Sequence, residues 1–260
     1  MDLTTLITPL TRQTLSSDVY QQLRELLLNG KVMPGEQLSL RSIATALGVS
    51  VMPVREAMHR LVAEQAIELT PNRALRVPVM SVSQFCEITT IRVTLEGLAV
   101  ANAVARLDAR GLQTIQGLHE DFGREIARKQ PDGSRLIALN KELHFAIYRQ
   151  AGMPVLMQMI ESLWLRIGPI LNYDLRSGAE RVRQRVSVDH HGHILAALVK
   201  RDAVAATAAL RADIQGAADF IVSAGVLVSA DAAPGEAAAA PSPAASSAPA
   251  SSRRRRAPAP

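Results

Sequence analysis

SLRSIATALGVSVMPVREAMHRLVAEQAIELTPNRALRVPV, residues 39–79, contains two short helices, a tight turn between them and a hairpin. Ser39 is placed to cap a helix over Leu40–Leu47, and Gly48-Val49-Ser50 breaks it. Ser50 is placed to cap the next helix, which runs to about Glu64. Pro53 falls in its first turn, where a missing N–H costs nothing. Val54, Met58 and Leu61 recur at helical spacing and form its inward stripe. IELT and LRVPV, on either side of Pro71-Asn72-Arg73, read as two short strands. Upstream, Ser16-Ser17 can cap DVYQQLRELLLNG, which carries Val19, Leu23, Leu26 and Leu27 on one face. Asn29-Gly30 stops that helix, and Pro34-Gly35 marks a turn. Helix, helix, tight turn, helix, hairpin is the order of a winged helix-turn-helix.

In that arrangement the last helix enters the major groove with its N-terminal residues nearest the bases. Here it would present Val51, Met52, Arg55 and His59. The Arg55 fork can reach a guanine edge or a phosphate, and Ser50 with the first-turn amides can hold a phosphate. Arg73 and Arg76 in the hairpin would lie over the adjacent backbone or minor groove. Any one of these arginines alone reads as solvated surface; the order of elements is what points to DNA. Bulk charge does not: the chain carries +5, and residues 11–80 hold eight basic against six acidic side chains.

From Ser83 to Val228 the pattern is helical, punctuated by Pro131-Asp132-Gly133, Gly152-Met153-Pro154 and Ser177-Gly178. With aromatics at 3% and no alternating strand signal, the expected fold is mainly α: a winged helix-turn-helix followed by an antiparallel bundle of six or seven helices. The expected division is an arm at 1–14, a DNA-binding unit at 15–79, a helical effector-binding and dimerisation unit at 84–228, and a disordered Ala/Pro/Ser/Arg tail at 229–260. No run of about 18 uncharged apolar residues predicts a membrane span, and the N-terminus lacks the features of a secretion signal. The single cysteine, Cys86, forms no internal disulfide and suits the cytoplasm.

Five of the six histidines follow residue 81. His191 shares a face with Ile194, Leu195 and Leu198 and should point inward; His193 lies on a wetter face and His190 at the edge. Asn140 and His144 are four apart beside Leu143 and Ile147, and Asp213 lies on the apolar side of the last long helix. A carboxylate there needs a partner or a metal. Two imidazoles with oxygen ligands suit Zn, Mn, Ni or Fe. The alternatives are satisfied core histidines, with Asp213 paired to Arg92 or Arg211. Glu142, the carboxylate nearest His144, should project to the polar side with Lys141.

The run from Leu23 to Val77, with its Pro-Gly-Glu turn, Gly-Val-Ser turn and PVREA helix, resembles the GntR family of bacterial regulators. That resemblance implies DNA contacts from Arg41, Ser50 and Arg55, with the hairpin tip as the wing. Two departures stand out: Val51 replaces an arginine common after the serine, and Ala74 a glycine common at the wing tip. Residues 84–228 resemble the FCD effector domain of the FadR-type branch through RVTLE, LNKELHF and HHGHILAALVKRDAVAATAALRADI. The resemblance implies a divalent metal held by Asn140, His144, His191 and Asp213, with the family's usual Asp and last His exchanged for Asn140 and Asp213. It further implies a small carboxylate effector beside the metal, a homodimer on a pseudo-palindromic operator, and repression as the commoner mode. Arg92 can hold the effector's charge or pair with Glu96 in the core. The competing function is a metal-dependent hydrolase with an appended DNA-binding domain. It would need a general base beside the metal.

Overall fold

The computed structural model describes residues 15–171, 173, 175 and 180–228. The arm at 1–14, the tail at 229–260 and the Ser177-Gly178 break lie outside the described residues. Within them the chain is mainly helical, with ten helices and one small sheet.

Helix α1 (Leu15–Leu28) begins at Leu15, so Ser16 and Ser17 lie in its first turn instead of capping it. It buries Val19, Tyr20, Leu23, Leu27 and Leu28; Leu26, expected inward, is 43% exposed. Ser39 caps α2 (Leu40–Leu47) by accepting from the Ser42 amide, and Gly48 closes it at φ 66°, a left-handed position that favours glycine. Ser50 is the N-cap residue of α3 (Val51–Ala63), yet its hydroxyl makes no capping bond. Val54, Ala57, Met58 and Leu61 of α3 are buried against α1 and α2. Two strands were expected and three occur: β1 (Gln37–Leu38), β2 (Glu68–Leu69) and β3 (Leu75–Arg76), antiparallel in the order β1-β3-β2. The sequence reading missed β1, a two-residue strand too short to alternate.

The remaining helices are α4 (Val82–Arg106), α5 (Ala109–Ile126), α6 (Gly133–Arg149), α7 (Pro154–Leu171), the short α8 (Glu180–Arg183), α9 (Val186–Val199) and α10 (Ala203–Ser223). Helix α10 packs on α4 and α9, α5 on α6 and α9, and α4 also touches α6 and α7. Ser81 and Gln84 form a capping box at the start of α4; Asp108, Asp132 and Asp202 cap α5, α6 and α10. Helix α4 is long and apolar enough on composition to cross a membrane, but half of that stretch is buried inside the bundle and it carries the buried pair Arg92 and Glu96.

The two regions share one apolar core that runs from α1 and α3 into the bundle. Helix α1 docks on α7: Arg24 Nη2 lies 2.6 Å from Glu161 Oε2. The backbones approach closely where a Cβ on Gly168 would stand 2.7 Å from the Leu27 carbonyl oxygen. Lys141 of α6, expected on the polar side, is 7% exposed and donates to Glu25 of α1 at 2.6 Å. A buried ammonium needs a counter-charge, and α1 supplies it.

Candidate DNA-binding surface and metal centre

On the N-terminal unit, Arg41, Ser50, Arg55 and Arg73 are all exposed, as are Met52 and His59. The free Ser50 hydroxyl and the Val51 and Met52 amides stand together at the α3 N-terminus, the end of a helix that favours an anion. Arg76 is placed differently from the expectation. It is half-buried opposite Glu68 in the β2–β3 register, and its Nε donates to Glu68 Oε1 at 2.6 Å. Its charge is therefore presented with a partner. At the wing tip the left-handed residue is Arg73, at φ 61°, one position before Ala74. The turn is closed by Thr70, whose carbonyl accepts from the Arg73 amide at 2.8 Å and whose amide donates to Ala74 O at 2.9 Å. Asn72 accepts from the Thr70 hydroxyl at 2.5 Å. The wing thus forms without the glycine at 74, at the cost of about 1 kcal/mol for a non-glycine left-handed residue.

In the bundle, α6, α9 and α10 bring together three of the four expected ligands. One donor atom from each of His144, His191 and Asp213 lies within 4.8 Å of the others, and all three residues are buried. His144 Nε2 is 3.3 Å from Asp213 Oδ2, so Asp213 pairs with this imidazole instead of with Arg92 or Arg211. The His144 and His191 rings meet edge-on, with centroids 5.2 Å apart, and Phe122 packs on the far side of His191 at 4.8 Å. Asn140, one turn before His144, lines the same cavity with Arg92, Trp164 and Ser187. The cavity has about 20 Å³ of free room, enough for one water or ion but not for a metabolite. His193 is exposed and His190 lies at the edge, as expected.

Both nitrogens of His191 are buried without a hydrogen-bond partner among the described residues. Burial pushes its pKa down to about 3, partly offset by Asp213, so the ring is neutral and one nitrogen offers a lone pair. Burial alone would raise the Asp213 carboxyl. The hydrogen bond from His144 and the neighbouring imidazoles outweigh it and hold the carboxyl below the usual range. A buried imidazole with two idle nitrogens beside an ionised carboxylate is a donor set that fits a divalent cation.

Behind His144 stands a polar network of which only Arg92 and Glu96 were singled out from sequence. The Arg92–Glu96 pairing is present: Nε donates to Oε1 at 2.7 Å, with both side chains buried. Trp164 Nε1 also donates to Oε1, at 3.0 Å, and the Tyr148 hydroxyl to Oε2, at 2.5 Å. Tyr148 Oη is 3.1 Å from His144 Nδ1. Burial and the Glu96 charge raise the Tyr148 hydroxyl well above its ordinary pKa, so it stays protonated. Tyr148 follows His144 by four residues, a spacing that was a usable signal. Trp164 sits on a different helix and left none. Glu142 is half-exposed and near Lys141 and Arg149, away from the cavity.

Comparison with known proteins agrees with both regions. Residues 15–77 match the model for bacterial regulatory proteins of the gntR family, and residues 87–216 match the FCD domain. The chain is 36% identical to the HTH-type transcriptional regulator McbR of Escherichia coli over 189 residues, spanning 73% of this chain and 84% of that protein. The chain belongs to the GntR family. It is therefore a transcriptional regulator with an FCD domain, not an enzyme, which sets aside the hydrolase reading. A solved structure of E. coli McbR/YncC superposes with a TM-score of 0.76 at 32% identity, covering 82% of this chain and all of that one. A GntR regulator from Rhodococcus sp. RHA1 shares the fold, with a TM-score of 0.67 at 22% identity over 80% of this chain and 98% of that one. The HTH-type transcriptional repressor GlaR of E. coli is 26% identical over 75% of this chain and 90% of its own length.

Proposed function

We propose that this regulator represses a metabolic operon, and that a small carboxylate metabolite bound beside a divalent metal in the bundle changes its operator affinity. Residues 15–79 act as the DNA-binding unit and 84–228 as the effector-binding and dimerisation unit. Arg41 of α2, with Ser50 and Arg55 at the N-terminal end of α3, contacts the operator, and Arg73 reaches the flanking groove, with Arg76 contributing less because Glu68 holds it. The metal is Zn, Mn, Ni or Fe, held by His144, His191 and Asp213, with the Asn140 amide oxygen on the same cavity. The observation that carries this reading is His191: two buried nitrogens with no partner among the described residues, one of them within 4.8 Å of ligand atoms of His144 and Asp213.

The metal supplies a positive charge that a metabolite carboxylate can share, and Arg92 at the cavity wall adds a second. Because the cavity has room for little more than an ion, a metabolite enters only by displacing its wall. That coupling is what a switch requires. A homodimer on a pseudo-palindromic operator, working in the cytoplasm, completes the reading. The uncharged exposed stripe of Ile91 and Leu98 on α4 beside Val204 on α10 is suited to a second copy. The test is operator binding by Arg55→Ala. It should lose about 1–3 kcal/mol of specific affinity while circular dichroism stays unchanged. Full retained affinity would remove Arg55 from the reading helix.

A further inference from the structure

We propose that Tyr148 and Glu96 are positioning residues that fix His144 in the tautomer able to bind a cation through Nε2. The inference rests on the metal-centre reading and assigns roles to residues behind the centre.

A tyrosine hydroxyl has one hydrogen to give. Two groups lie within reach of Tyr148 Oη: Glu96 Oε2 at 2.5 Å and His144 Nδ1 at 3.1 Å. Glu96 is a carboxylate that already accepts from the Arg92 guanidinium and the Trp164 indole N–H, so it has no hydrogen to offer and takes the one from Tyr148. The Tyr148 oxygen is then left as an acceptor. Only a protonated Nδ1 can bond to it, so Nε2 is the His144 nitrogen left to face Asp213 and the one that can turn a lone pair to a cation.

Nε2 lies 3.3 Å from Asp213 Oδ2, in the hydrogen bond that holds the carboxyl low. A divalent cation between the two ligand atoms would replace the proton of that bond, since a metal ligand must be deprotonated. His191 adds a further nitrogen with no protein partner. The relay from Arg92 through Glu96 and Tyr148 to His144 thus orients the centre for a divalent cation. Metal-bound imidazoles commonly have their second nitrogen held in this way, and loss of that partner costs 10–100-fold in metal affinity.

The experiment uses the full-length protein stripped with a chelator and titrated with Zn²⁺ against a chromophoric competitor. It is paired with nitrogen-15 histidine spectra of the metal-free protein to assign the His144 tautomer. Wild type should bind, with His144 protonated on Nδ1. Tyr148→Phe should bind 10–100-fold more weakly and lose the single tautomer, while His144→Ala loses binding entirely. Tyr148→Phe binding within twofold of wild type, or a wild-type His144 unprotonated on Nδ1, overturns the positioning role but leaves the metal centre standing. Wild type binding no better than His144→Ala overturns the metal centre and the positioning role with it. If Tyr148→Phe fails to fold, the wild-type tautomer alone decides.

Discussion

Replacing His191 with Phe should invert the order of stability between wild type and variant, depending on whether metal is present. The side chain is buried, touches Phe122 and His144 edge-on, and leaves both ring nitrogens without a partner among the described residues. A neutral imidazole has one N–H and one lone pair, so the metal-free protein buries both a donor and an acceptor. Each idle buried group costs about 1–3 kcal/mol. Local relaxation around the ring can relieve one of them, which leaves one such penalty to be removed by Phe. Against it stands the slightly larger ring, an overpacking cost of about 1 kcal/mol in a tight core. In chelator, the variant should therefore match wild type or exceed it by about 1–2 kcal/mol. With Zn²⁺ at a hundred times its dissociation constant, wild type gains about 2.7 kcal/mol and the variant nothing.

Urea unfolding followed by Trp164 fluorescence reads this directly, because Trp164 is the chain's single tryptophan and lines the cavity. Two results would refute the reasoning. One is a wild-type midpoint indifferent to metal. The other is a variant less stable than wild type in chelator by more than about 1 kcal/mol, which would mean that the nitrogens make bonds the geometry lacks.

The pH dependence carries a defined sign. His191 has a folded pKa of about 3 against an ordinary 6.5, so between those values the unfolded chain holds a proton that the folded one refuses. Metal-free stability should fall with acidification through that window, by about 1.4 kcal/mol per pH unit from this group, and His191→Phe should flatten the slope by that amount. Equal slopes in the two proteins would contradict the burial of a neutral ring. Asp213, held low, acts in the same sense only below its ordinary value near 3.8. Gly168→Ala would set a Cβ 2.7 Å from the Leu27 carbonyl oxygen and 3.3 Å from Leu28 Cα, backbone atoms that no rotamer change can move. It should cost about 1–3 kcal/mol and loosen α1 from α7, seen as a lower urea midpoint; an unchanged midpoint would deny the close approach.

The N-terminal unit was legible because its signals are local. Ser39, Gly48 and the Val54, Met58, Leu61 stripe each act within a few residues, and each lies where its spacing placed it. The inward course of His144, His191 and Asp213 was legible for the same reason, since helical phase alone settles which face a residue occupies. Contacts between helices far apart in sequence were not legible. Lys141 reads as a surface lysine because nothing near it in sequence shows that α1 supplies Glu25 across 116 positions. Arg76 reads as a free wing arginine until the β2–β3 register sets Glu68 opposite it. Leu26 fits the α1 stripe on spacing, but Leu28 is buried instead because α7 covers a flank of the helix that periodicity cannot foresee.

The same long-range contacts connect the candidate metal centre to the candidate DNA-binding surface through the helices that lie between them. On α6, Asn140 and His144 face the cavity while Lys141 grips Glu25 of α1. On α7, Trp164 lines the cavity, Glu161 one turn earlier holds Arg24, and Gly168 one turn later abuts Leu27. Helix α1 in turn packs on α3, whose N-terminal end carries Ser50 and Arg55. A helix moves as a unit over one or two turns, because its backbone bonds and its packed neighbours resist bending. Any displacement of α6 or α7 at the cavity wall is therefore also a displacement at α1. Since the cavity has little more room than an ion needs, the metabolite proposed for it would require such a displacement. Under the proposed function, the tightness of the site and the shared helices would give effector binding a contiguous physical route to α3, with the half-buried ion pairs Arg24–Glu161 and Lys141–Glu25 as its points of purchase.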